Sequence, residues 1–250
     1  MSTTKIIVVE DESIEALDIK NTLESFGYQV PYIASRGDEA VARAQEIKPD
    51  LVLMDIILKG DLTGIEAASE IKKLDIPFIY LTAHSNEKTV EKAKLTEPYG
   101  YLLKPFNSND LKHTIELALH KHRMENKLKE SENRYRLLVE SQKDFIVETD
   151  AKGRFTFVNP SFCERLGITE DEILGKSLLG FVDEKYHERT VKSFRSSFSK
   201  PPFTGNHEVC IQTKNGNCWV SWSGQPVLDD EQNLIKIFAI GRDITQQKKL

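Results

Sequence analysis

Five polar side chains in the first half of the chain stand directly after short apolar runs. Val8-Val9 is followed by Glu10-Asp11, Met54 by Asp55, Leu81 by Thr82 and Leu103 by Lys104. Three carboxylates, a hydroxyl and an ammonium brought to one place could do a particular chemistry. Clustered carboxylates repel one another unless a cation intervenes, and a small hard cation with oxygen ligands, typically Mg²⁺, suits such a set. With metal and ammonium at hand, Asp55 can attack phosphorus through a carboxylate oxygen while the cations offset charge on the phosphoryl oxygens. An aspartyl phosphate would result. Taken singly, each residue has a plainer role: the acids and Thr82 as helix caps or loop residues, Lys104 as a surface lysine. Their joint occurrence, in order, after successive apolar runs favours the chemical reading.

What must position them is a sheet whose strands all end at one edge. The β-rich runs Ile6-Ile7-Val8-Val9, Tyr28-Gln29-Val30, Leu51-Val52-Leu53-Met54, Phe78-Ile79-Tyr80-Leu81 and Tyr101-Leu102-Leu103 alternate with helix-periodic segments at 13–26, 38–47, 65–74 and 86–93. Near-continuous apolar strands imply cover on both faces, hence an α/β domain with a parallel sheet and crossover helices. In such a sheet, ligand crevices lie outside the carboxyl ends of the strands, where all five side chains fall.

Composition narrows the function classes. Hydrophobic residues at 39% and charged residues at 29% are the balance of a globular chain that buries ordinary cores. A formal net charge of −5 with acids and bases interspersed offers no positive field for a phosphate backbone, so direct DNA binding is not expected. No apolar stretch is long enough to span a bilayer and no signal peptide opens the chain, which points to a cytoplasmic protein without membrane contact. Cys163, Cys210 and Cys218 are odd in number and lack metal-ligand spacing, so reduced thiols are expected.

The segments Ile6-Ile7-Val8-Val9-Glu10-Asp11-Glu12, Leu51-Val52-Leu53-Met54-Asp55, Tyr80-Leu81-Thr82-Ala83 and Gly100-Tyr101-Leu102-Leu103-Lys104-Pro105-Phe106 resemble the signature segments of two-component response-regulator receiver domains. The resemblance implies a flavodoxin-like five-stranded parallel sheet and a phosphohistidine donor on a sensor histidine kinase. It further implies Asp55 as phosphoacceptor and Mg²⁺ held by Asp11, Asp55 and the backbone carbonyl of Ile57, with Glu10 acting mainly through water. It also implies a switch, in which the Thr82 hydroxyl moves toward the phosphoryl group and the Tyr101 ring turns inward, and a cis Lys104-Pro105 bond that aims the ammonium at the site. This chain departs from the pattern after Asp55. The segment 56–64 reads one residue longer than usual and lacks the common proline. Ile57 and His84 occupy the positions that tune hydrolysis in the family, and apolar Ile57, unable to orient an attacking water, predicts a long-lived phosphoryl group.

Residues 110–142 contain no Pro or Gly and read as the last helix of this domain continuing outward. Leu117, Met124, Leu128, Tyr135 and Leu138 follow a heptad seam with Lys121 and Ser131 as polar members. A parallel coiled-coil homodimer and a lone amphipathic helix both satisfy that pattern.

Beyond it, β-rich runs at 145–149, 154–158, 208–213, 219–223 and 235–240 signal a five-stranded antiparallel sheet, with hairpin signals at Lys152-Gly153 and Asn215-Gly216 and helical pieces at 159–166, 170–174 and 184–198. That order, with Gly153 to Asn159, Leu166-Gly167, Glu172 to Lys176 and the closing Gly241-Arg242-Asp243-Ile244-Thr245, resembles a PAS domain, a class that senses ligands or dimerises. No ligand can be named, and the domain can equally hold none. His187 is either a haem ligand or a hydrogen-bonded helical side chain, and Cys163 reads as a core thiol. The family uses the closing triplet to signal into a following helix, yet the sequence stops soon after. Either a partner reads that surface or the chain is a piece of something longer.

The division expected is thus a receiver at 1–122, a helical connector at 123–142 and a PAS domain at 143–250, together a phosphorylated switch that dimerises through connector and PAS. The alternative is the N-terminal sensory part of a hybrid histidine kinase. Kinase chemistry needs a helical His followed by an acid and proline and a glycine-rich ATP loop, none of which is present. A haloacid-dehalogenase-like phosphatase would need a second Asp where Ile57 stands. No enzyme activity is therefore expected.

Overall fold

The computed structural model describes residues 3–83, 87–198, 205–214 and 216–249. Two compact units divide the chain, Met1–Glu130 and Ser131–Leu250.

In the first unit, β1 (Lys5–Val9), β2 (Gln29–Ala34), β3 (Leu51–Asp55), β4 (Phe78–Thr82) and β5 (Gly100–Leu103) form one sheet in the order β2-β1-β3-β4-β5, every pair parallel. The crossovers are α1 (Ser13–Ser25), α2 (Gly37–Ile47), α3 (Gly64–Lys73) and α4 (Glu87–Lys94), followed by α5 (Ser108–Glu140). Alternate strand residues separate onto two buried faces. Ile7, Val9, Val52 and Met54 pack with Ala40, Ala44, Ala67 and Ile71 of α2 and α3. Ile6, Val8, Leu51 and Leu53 pack with Ile19 and Leu23 of α1 and Leu111 and Ile115 of α5. Cover on both faces is why the strands read as unbroken apolar runs.

The second unit holds β6 (Phe145–Asp150), β7 (Phe155–Val158), α6 (Pro160–Leu166), α7 (Glu170–Ile173), α8 (His187–Phe198), β8 (Gly205–Thr213), β9 (Gly216–Leu228) and β10 (Leu234–Asp243). Its strand order is β7-β6-β10-β9-β8, antiparallel throughout. The fully buried Asn159 knits the start of the sheet together: its side chain caps α6, accepts from the Ile146 N–H at 2.9 Å and donates to the Asp144 carbonyl at 3.0 Å. Gly153 (φ 73) forms the turn between β6 and β7, whereas Asn215 of the other expected hairpin lies outside the described residues.

β2 and β9 each run on past a proline, beyond their expected ends. β2 continues through Pro31 because it lies at the sheet edge, where a missing N–H breaks no ladder. β9 continues through Pro226 because its pairing with β8 ends at Gly224 and only β10 accompanies it further.

Candidate functional site

Parallel register brings the chemistry-bearing residues to one edge. Val9 pairs with Met54, Asp55 with Leu81 and Thr82 with Leu103, so Glu10, Asp55, Thr82 and Lys104 emerge side by side at the carboxyl ends of β1, β3, β4 and β5. Backbone bonds lock the exits: the Glu10 N–H donates to Ala34 O at 2.9 Å, Ile56 to Leu81 O at 3.2 Å and Lys104 to Thr82 O at 2.8 Å. The Lys104-Pro105 bond is cis.

Lys104 Nζ is the hub. It donates to Glu10 Oε2 at 2.5 Å and Asp55 Oδ2 at 2.6 Å, and it pairs with Glu15 Oε2 of α1 at 2.8 Å. Asp55 Oδ1 accepts the Ile57 N–H at 2.8 Å, which fixes the carboxylate with its other oxygen on the ammonium. Burial, reinforced by the charge of Asp55, pushes the Glu10 carboxyl above the usual range despite the hydrogen bond from Lys104. Burial works against the Lys104 charge too, but hydrogen bonds to Asp55, Glu10 and Glu15 outweigh it and hold the ammonium above the ordinary lysine value. Asp11, the remaining acid of the edge, pairs with Lys59 Nζ at 2.7 Å.

The two residues read as a switch lie on the adjacent strands β4 and β5. The Thr82 hydroxyl donates to the Ala83 carbonyl at 2.8 Å. Tyr101 is 38% exposed, with its ring centroid 5.7 Å from that of Tyr80. Ile57 is 67% exposed. His84 lies outside the described residues.

Three further participants escaped the sequence reading. Glu15 was legible only as an acid in the first turn of a helix. Lys59 belongs to a loop whose path no local pattern specifies. Gly64 opens α3 so close to β3 that a Cβ there would lie 1.9 Å from the Asp55 carbonyl oxygen, so only glycine lets the helix start against the acceptor strand. The Thr63–Glu66 capping box fixes that start, and it is visible in the sequence as Thr-x-x-Glu.

The donor set suits magnesium. Its side-chain donors are the carboxylate oxygens of Glu10, Asp11 and Asp55, the hard ligands that this ion prefers. Among the described residues no three His, Cys, Asp or Glu side chains form a ready-made metal cage. Magnesium does not require one, since it keeps several waters and commonly takes one or two carboxylates.

The second unit holds a partly open apolar cavity of about 70 Å³ between sheet and helices, lined by Phe155, Phe162, Phe181, Trp222 and Ile237 among others. Trp222 packs against Phe162 with centroids 5.7 Å apart, and Trp219 against Tyr186 at 5.2 Å. His187 Nε2 lies 2.9 Å from the Val182 carbonyl, the hydrogen-bonded alternative rather than a ligand aimed at the cavity. Cys163 is half-buried against the core, Cys210 and Cys218 are buried, and all three are free. In the closing segment, Asp243 pairs with Arg165 at 2.6 Å, and the Thr245 hydroxyl accepts from the Trp219 N–H at 2.9 Å.

Comparison with known proteins agrees with the division into two units. The model of the response regulator receiver domain matches residues 6–116, and that of the PAS fold matches residues 133–244. Transcriptional regulatory protein PdtaR of Mycobacterium tuberculosis is 40% identical over 120 residues, 48% of this chain and 58% of that protein. Phosphate regulon transcriptional regulatory protein PhoB of Rhizobium meliloti is 35% identical over 119 residues, 46% of this chain and 52% of that protein. The chain thus spans about half the length of the curated relatives it matches. The solved signal receiver domain of a modulated diguanylate cyclase from Desulfovibrio desulfuricans is 36% identical, covering 50% of this chain and 99% of its own, with a TM-score of 0.48.

Proposed function

We propose, from the premise that this chain carries a response-regulator receiver domain followed by a PAS domain, that it is a two-component signalling protein switched by phosphorylation of Asp55. The observation that carries the reading is the Lys104 ammonium bridging the carboxylates of Glu10 and Asp55 at the carboxyl edge of the parallel sheet. The receiver takes residues 1–122, the connector 123–142 and the PAS module 143–250.

A carboxylate oxygen of Asp55 attacks the phosphorus of a phosphohistidine on a sensor histidine kinase. The P–O bond forms as the P–N bond breaks, and the imidazole nitrogen leaves with the bonding pair and is protonated from solvent. The Ile57 N–H holds Asp55 Oδ1, which orients the carboxylate for in-line attack. Lys104 supplies a fixed positive charge for the incoming phosphoryl oxygens and exchanges part of its bonding to Asp55 for them. A magnesium ion, held by Asp11, Asp55 and the Ile57 backbone carbonyl with Glu10 acting through water, would neutralise charge on the phosphoryl group when bound. The Thr82 hydroxyl then turns from the Ala83 carbonyl to the phosphoryl oxygens. Tyr101, half-exposed beside Tyr80, follows inward and carries the change to the surface of β5. The chain is a switch rather than a catalyst. It signals through a homodimer formed by connector and PAS module, and the PAS ligand is left unassigned.

The test is incubation with Mg²⁺ and a small acyl phosphate, read by intact mass. Wild type gains one phosphoryl group and Asp55→Asn gains none. Equal labelling of both, or of neither, would overturn the assignment.

A further inference from the structure

The loop after Asp55 presses a cation of its own against the acidic edge. Its residues alternate: Ile56 and Leu58 are buried among the side chains of α2 and α3, while Ile57 and Lys59 face out. Gly60 then turns the chain with φ 124, a conformation L side chains rarely adopt, beside the side chain of Arg36. Lys59 is therefore fixed between a buried anchor and a glycine turn. From there its Nζ reaches Asp11 Oδ2 at 2.7 Å. The Asp11 carboxylate is 13% exposed, whereas the Lys59 side chain is 83% exposed. The ammonium can therefore swing into water without unpacking anything.

We propose that Lys59 is a built-in competitor of the divalent cation: its ammonium holds the Asp11 carboxylate in the metal-free receiver, must be displaced when the ion binds, and so sets magnesium affinity. The inference rests on the metal reading above. A dication and an ammonium repel each other at one carboxylate, so the two occupy Asp11 in turn. Breaking an exposed pair of this kind changes an equilibrium constant by about twofold to fivefold. Displacement also frees the tip of the loop that precedes α3, which links ion binding to the conformation of that loop.

Calorimetric titration of MgCl₂ into the full chain tests this without any phosphoryl donor. Lys59→Met and Lys59→Gln should bind magnesium about twofold to fivefold more tightly than wild type, with the gain shrinking as ionic strength rises. Lys59→Arg should keep the wild-type affinity. Lys20→Met, which removes an ammonium paired instead with Glu24 on α1, should also leave it unchanged. Equal affinity in wild type and both neutral Lys59 variants would overturn the proposal, as would equal tightening in Lys20→Met. Should magnesium bind none of the proteins, the metal reading falls and this inference with it. Should it bind all of them alike, only this inference falls.

Discussion

At the scale of single residues, the edge of the first sheet is governed by one ammonium shared among three carboxylates. Lys104 is 94 residues from Glu10 and 49 from Asp55 in the chain, yet its Nζ lies within 2.6 Å of both. Ile57 has a different part: its N–H holds the acceptor while its side chain offers an incoming water no hydrogen-bonding partner. Ile57→Asn supplies one and is expected to shorten the life of the aspartyl phosphate severalfold. Phosphate release after removal of the donor measures it, and an unchanged rate would count against a role for Ile57.

At the scale of elements, close approach and burial set the sensitivities. The start of α3 tolerates no side chain at Gly64, because a Cβ would meet the backbone oxygens of Asp55 and Ile56 at 1.9 and 2.9 Å. Gly64→Ala is expected to destabilise the first unit by about 1–3 kcal/mol, as overpacking does, and to slow labelling of Asp55 by shifting its carboxylate. Urea unfolding followed by circular dichroism, alongside the labelling rate, reads both effects. In the second unit, burial pushes the imidazole of His207 on β8 below its ordinary value, so the fold prefers it neutral. On acidification the unfolded chain takes up that proton first. Stability contributed by neutral His207 is thus present above about pH 6.5 and is lost as the pH falls from there through the lower folded value. His207→Gln should flatten that slope. Both tryptophans, Trp219 and Trp222, lie in this unit, so their fluorescence during thermal unfolding reports on it alone.

At the scale of the whole molecule, α5 carries an apolar seam exposed to solvent. Leu117, Met124, Leu128, Tyr135 and Leu138 are each more than half exposed along a heptad seam. The flanking positions carry Lys127 and Glu132, and His120 and Glu125, each pair spaced to meet across a parallel two-stranded coil. In the homodimer proposed above, a second copy of the helix is the surface that covers this seam. Leu128→Glu places a charge in the middle of the seam and is expected to weaken self-association at least about tenfold, as the loss of a buried leucine would. Sedimentation equilibrium measures it, and an unaltered association constant would remove the connector from the dimer.

The alternation of strand and helix in the first unit, its parallel sheet and the gathering of Glu10, Asp55, Thr82 and Lys104 were all legible in the residues. The reason is local: an unbroken apolar run means a strand covered on both faces, and the polar residue that ends it must lie at the strand's carboxyl end wherever the sheet closes. The five short runs of the second unit were legible for the same reason, as period-two segments bounded by turn residues. Which strands are edges was not legible, because edge position is a property of strand order. The sequence reading therefore stopped β2 before Pro31 and β9 before Pro226, where the sheet tolerates both. The partners of Glu15, Lys59 and Gly64 were equally hidden, since each depends on how near one element passes to another. Alternation and polar chain breaks act within a few residues of one another. Ion pairs, backbone clashes and the volume of a cavity arise only when distant segments meet, and there the tertiary structure decides.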